Sequence, residues 1–236
     1  MAGPEKEGPK RKVLDPMSGI LDAVKILLTH GGPFPYMNMF VLAVSLATIV
    51  ERFISLTRYN ISGEPFMKQL IRLVREGQID RARKLCQAAP NSVLAKVMKA
   101  GLDRANRGEA EISASMEEAM LEVSPQVSRR IPWLFPLANI ATLFGLIGTI
   151  SGLIKSFGAL ALASPDQKGQ ILSTGIAEAM YNTAFGLIIA VLCLITMLYL
   201  QSKAKSMIEE VEFNAARLEN LLARRAAGEL EGDKAA

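Results

Sequence analysis

Three stretches of this 236-residue chain, 26–50, 131–154 and 179–202, contain no Asp, Glu, Lys or Arg. Each is long enough to cross the ~30 Å hydrocarbon core of a bilayer as a helix, which takes about 20 residues. A backbone in hydrocarbon must satisfy its own hydrogen bonds, and a helix does this within one segment. Hydrophobic residues make up 50% of the chain and are gathered in these runs, while aromatics are only 6%. A disordered chain, a disulfide scaffold and an ordinary soluble enzyme are all excluded. The expected fold class is an all-α membrane protein with three transmembrane helices and long cytoplasmic helical extensions.

Charge sets the expected orientation. Residues 57–132 carry 13 Lys and Arg, the link after the second span carries only Lys168, and the tail from 201 carries 6. Cytoplasmic flanks are enriched in Lys and Arg, so the middle segment and the tail are placed inside and the N-terminus outside. Lys6, Lys10, Arg11 and Lys12 run against this but lie far from the first span. The first apolar run starts near residue 34, too late and too long for a signal peptide, and is expected to stay as a span. The resulting plan is an extracytoplasmic segment 1–33, a first span 34–56 and a cytoplasmic helical segment 57–130. A second span 131–162, a short periplasmic link 163–170, a third span 171–200 and a cytoplasmic tail 201–236 follow. Basic composition without aromatic interleaving or a binding motif points to topology and not to nucleic acid.

Leu14, Met17, Leu21, Val24 and Leu28 form one apolar stripe, suited to a helix lying on the membrane surface or packed on its neighbours. Glu51 and Arg52 close the first span, where an Arg can snorkel toward headgroups. Helical periodicity near 64–76, 79–88, 92–106 and 109–130 is interrupted at Gly77, Pro90 and Gly108, and Pro125 is expected to kink or end the last helix. The third span continues without a breaker. Ile208, Val211, Ala215, Leu218 and Leu222 form a stripe that needs a partner, either the 109–130 helix or other copies.

Thr142, Gly145, Thr149, Gly152 and Ser156 share one face of the second span, with Gly148 beside them. Small residues let membrane helices approach closely, and hydroxyls on the same face can line a polar path. The third span offers Ala179, Thr183, Gly186, Ala190 and Cys193 on one face. Thr174, Glu178, Tyr181 and Asn182 are expected to form a polar cluster across from it. An acid within a span costs about 2.5–3.5 kcal/mol on insertion scales, so Glu178 marks an ion path or a partner contact unless it snorkels to the interface. Lys155 is expected to snorkel outward. No catalytic set, cofactor motif or metal-ligand spacing appears: His30 stands alone, and Cys86 and Cys193 have no plausible partners.

The run from Gly145 through Gly152, followed by Ser156 and Phe157, resembles the second-span signature of the MotA/TolQ/ExbB proton-channel family. Gly175 through Met180, then Thr183 through Leu187, resembles its third-span signature. The Glu51–Arg52 pair and the three-span layout also fit. The resemblance implies a homo-oligomer, a pentamer, around a single-span partner of the ExbD/TolR type that supplies a membrane aspartate. It implies an inner-membrane location and proton flow that powers a downstream envelope machine serving import, outer-membrane maintenance or gliding. Thr149 and Thr183 would face the partner's carboxyl group, and Glu178 would be the third-span acid. Gly145, Gly148, Gly152 and Gly186 would serve helix packing. Two departures add polarity: Thr142, where the family usually has Pro, and Tyr181–Asn182, where small or aliphatic residues are usual. These keep a sodium-driven variant open. A non-conducting oligomeric scaffold is the other alternative.

Overall fold

The computed structural model describes residues 33–59 and 63–226. All regular elements among them are helical. They are α1 (Phe34–Tyr59), α2 (Gly63–Arg75), α3 (Ile79–Gln87), α4 (Val93–Asp103), α5 (Glu109–Ser128), a 3-10 turn (Ile131–Trp133), α6 (Leu134–Leu162) and α7 (Pro165–Ala226). Three helical segments are long and apolar enough to cross a membrane, so the all-α membrane class holds. The stripe from Leu14 to Leu28 lies outside the described residues. The chain divides into two compact units: Met1–Ala43 with Ala138–Val191, and Val44–Leu137 with Leu192–Ala236.

In the second unit, the short helices begin and end where local chemistry dictates. Gly77 and Gly108 adopt φ of +79° and +98°, backbone that a Cβ disfavours, so α2 and α3 are separated at one and α5 starts after the other. Ser92 caps α4 by accepting from the Ala95 N–H at 3.3 Å, which satisfies one of the donors a helix start leaves open. At the other end of α4, Arg83 of α3 donates Nε and Nη2 to the Leu102 carbonyl at 3.2 and 2.8 Å. It also pairs with Asp103 at 3.2 Å. Leu70, Val74, Val97, Met98, Leu102 and Ile112 fill the core of these helices. Cys86 is buried among them, and burial, reinforced by the Asp103 carboxylate, pushes its thiol up to about 12.

The tail of α7 buries Ala204, Met207, Val211, Leu218, Leu221 and Leu222. Ile208 and Ala215, expected in that stripe, are only half-buried, because the seam follows the alternation of three and four residues that begins at Leu200. Across a groove lined by Met116, Met120, Ala215 and Ala216, α5 and α7 face each other, so the tail packs on the 109–128 helix. Pro125 sits inside α5, which continues three residues past it to Ser128; the helix ends within one turn of the residue expected to stop it.

Arg52 departs from expectation. Instead of reaching outward it is 4% exposed, with Nη2 on the Glu51 Oε1 at 2.7 Å. The second oxygen of Glu51 accepts from Arg130 Nη1 at 2.6 Å. A carboxylate on the neighbouring residue holds the guanidinium at the protein, where free headgroup-seeking would leave that carboxylate uncompensated.

The third long helix starts earlier than its apolar run. Residues 165–170, expected in a link, are helical, leaving only Ala163 and Ser164 between α6 and α7. Pro165 has no N–H to satisfy and a φ suited to a first turn, and Asp166 follows where negative charge is favoured.

Candidate functional site

In the first unit, α6 and α7 meet through residues without bulk. A Cβ on Gly186 would lie 2.5 Å from the Ala141 carbonyl oxygen and 3.2 Å from the Gly145 Cα. A Cβ on Gly145 would lie 3.0 Å from the Asn182 carbonyl oxygen, and one on Gly152 3.2 Å from the Ala179 Cβ. At Gly148 the near neighbours are the Asn182 side-chain atoms Cβ, Cγ and Nδ2, at 2.9, 3.0 and 3.2 Å. In lipid there is no hydrophobic force between helices, so such close backbone packing is what holds a pair together. The outward residues Leu143, Ile147, Ile150, Ile154, Met180 and Ile188 are apolar and exposed, as a lipid-facing or subunit-facing surface requires.

The hydroxyls on this pair divide by what they bond. Thr142 donates to the Ala138 carbonyl at 3.1 Å, Thr149 to Leu146 at 2.6 Å and Ser156 to Gly152 at 2.8 Å, all on their own helix. Thr183 instead donates across the pair to the Gly145 carbonyl, at 3.4 Å. An O–H···O bond prefers about 2.7–2.8 Å, so the Thr183 bond is the weakest of the four. A hydroxyl committed as donor still accepts through its lone pairs.

Toward the α6–α7 turn the two helices part around a cavity of about 420 Å³, lined by Ser151, Gly152, Lys155, Ser156, Gln170, Thr174, Glu178, Ala179 and Asn182 among others. Asn182 is 3% exposed, and its Oδ1 is buried without a hydrogen-bond partner. Such an orphan costs of order 1–3 kcal/mol unless water or a ligand meets it.

The residues expected to act together are therefore sorted. Thr174, Glu178 and Asn182 come to one cavity. Tyr181 does not: it is 44% exposed, because adjacent residues on a helix point about 100° apart. Thr142, Thr149 and Thr183 lie outside the cavity lining. Lys155, expected to snorkel outward, is exposed and lies on the wall of the same cavity. Sequence reasoning also passed over Asn38, 1% exposed with Oδ1 unpartnered. An Asn inside an uncharged run is the signal that would have marked it.

The comparisons with known proteins agree with this architecture. The family model for the MotA/TolQ/ExbB proton channel family matches residues 89–213. A biopolymer transport protein ExbB homolog of Methanothermobacter thermautotrophicus is 23% identical over 205 residues, covering 84% of this chain and 70% of that protein. The biopolymer transport protein ExbB of Salmonella typhimurium is 26% identical over 181 residues, 70% of this chain and 74% of its own length. The Tol-Pal system protein TolQ of Haemophilus influenzae is 34% identical over a shorter stretch of 86 residues, 35% of this chain and 37% of that protein. With its match spanning α4, α5, the glycine-packed pair and the start of the long tail, the chain belongs to the MotA/TolQ/ExbB proton channel family.

Proposed function

We propose that this chain is the channel-forming subunit of a proton-driven energiser in a bacterial inner membrane. Copies assemble, as a pentamer, around a single-span ExbD/TolR-like partner whose membrane carboxyl group is titrated as protons pass. The N-terminus is periplasmic and the C-terminus cytoplasmic. Work is delivered to an envelope process, in keeping with the biopolymer transport named for the Salmonella relative. The single observation carrying this reading is the polar cavity holding Glu178 between two helices whose outward faces are apolar. Carbon-lined packing alone does not call for an acid there.

The hydroxyls fit the task. Thr183, held only by its long bond to Gly145, can turn its O–H to donate a hydrogen bond to a carboxylate at little cost. Thr149, with its hydrogen committed at 2.6 Å, is placed to accept from a neutral carboxylic acid. Between them both states of a borrowed carboxyl group find a partner. Each charge moved through the potential yields about 2.3 kcal/mol per 100 mV.

The test is proton flux in proteoliposomes holding the full chain with its single-span partner, read by a pH-sensitive dye under an imposed potential. Glu178→Gln and Thr149→Val are expected to lose most of the flux while the oligomer elutes at its normal size. Undiminished flux in both variants would instead favour a scaffold that conducts nothing. Replacing sodium by potassium at a constant proton gradient is expected to leave function unchanged.

A further inference from the structure

The cavity between α6 and α7 contains a charged group that proton passage does not require. The packing register brings Gly152 against Ala179, Ser156 against Gly175 and Gly148 against Asn182. This sets Lys155 level with the turn of α7 that carries Thr174 and Glu178, and all three line the same cavity.

Without the lysine, the polar part of the lining is a set of hard oxygen donors. It includes the Glu178 carboxylate, the buried, unpartnered Oδ1 of Asn182 (a residue 3% exposed), and the hydroxyls of Ser151, Ser156 and Thr174. Carboxylate, amide and hydroxyl oxygens suit a hard metal cation. The Lys155 ammonium changes that chemistry. It is a compact point charge with three N–H donors, carried on the same cavity wall as Glu178. In a cavity of about 420 Å³ it repels a second cation at short range. A proton needs no coordination shell, since it moves along hydroxyls, carboxyl groups and water.

We propose that Lys155 is the ion-selectivity residue of this cavity: a tethered cation on the wall it shares with Glu178, Asn182 and Thr174, whose charge disfavours sodium on those oxygens. The proposal rests on the ion-conducting reading above and adds what fixes the ion.

The test uses the purified full-length oligomer, with no partner and no gradient. Thermal melting is followed in sodium chloride, potassium chloride and N-methylglucamine chloride at equal ionic strength. The unaltered protein is expected to melt at one temperature in all three. Lys155→Met is expected to gain a rise in melting temperature specific to sodium, saturating with concentration, and Lys155→Met/Glu178→Gln to lose it. Sodium-23 relaxation should broaden with Lys155→Met alone. Lys155→Gln is carried as a second variant in case the methionine disturbs assembly. A sodium-specific rise in the unaltered protein, or indifference to sodium in whichever variant assembles, overturns the proposal. Because binding is read without flux, failure of the proton-conduction reading would appear in the liposomes and not here.

Discussion

The Thr183 hydroxyl crosses from α7 to the backbone carbonyl of Gly145 on α6 at 3.4 Å, while Thr149 holds its own helix at 2.6 Å. A net hydrogen bond contributes about 0.5–1.5 kcal/mol, and a long one sits at the low end. Thr183→Val is therefore expected to lower the melting temperature of the purified oligomer only slightly but to remove most proton flux. Thr183→Ser, which keeps the hydroxyl, should restore it. Equal flux from the valine and serine forms would deny the hydroxyl its role.

The glycines of the helix pair predict a graded series. At Gly186 an added Cβ meets backbone at 2.5 Å, at Gly148 it meets a side chain that can shift, and at Gly158 it meets nothing within 4 Å. Overpacking costs typically about 1–3 kcal/mol. Gly186→Ala should destabilise most and Gly148→Ala less. Gly158→Ala should be neutral or mildly stabilising, since Ala is favoured over Gly in a helix by about 1 kcal/mol. Melting temperatures of the three variants in one detergent give the order directly.

Arg52, Glu51 and Arg130 form an unequal chain. Arg52 is buried, with Nε and Nη1 lacking partners and Nη2 on Glu51, so Glu51→Ala leaves a buried guanidinium without its carboxylate. The Glu51–Arg130 side is roughly half exposed, and exposed pairs contribute about 0–1 kcal/mol. Glu51→Ala should depress thermal stability more than Arg130→Ala, and adding Arg52→Leu should recover much of the loss. Arg130 also holds a left-handed φ of 61°, so Arg130→Gly should be better tolerated than Arg130→Ala.

Cys86 predicts a pH response. Its thiol is pushed up from 9.0 to about 12, chiefly by burial. The folded state therefore keeps a proton that the unfolded chain releases. The stability this supplies is complete below about pH 9 and is lost as pH rises toward 12. Cys86→Ala should flatten the alkaline part of the stability profile, and the native thiol should resist maleimide at neutral pH until the protein is unfolded.

Much of this was legible in one dimension. The three uncharged runs marked the spans because charge is what hydrocarbon excludes, and Gly77 and Gly108 marked breaks because their backbone needs a residue without Cβ. The start of α7 at Pro165–Asp166 is a polar first turn, which hydropathy does not register. What could not be seen was lateral. Tyr181 and Asn182 are neighbours in sequence yet part company on the helix. Lys155 and Glu178 reach one cavity only through an antiparallel register, set by a two-residue turn and four glycines. The burial of Arg52 likewise depends on Glu51 and on Arg130, which lies 79 residues away from that acid.

Where Gly145 and Gly186 touch, no side chain lies between the two main chains. Surfaces without teeth cannot be geared, and these cannot be pried apart without opening a void. At this joint the two rods form one stave, held main chain to main chain.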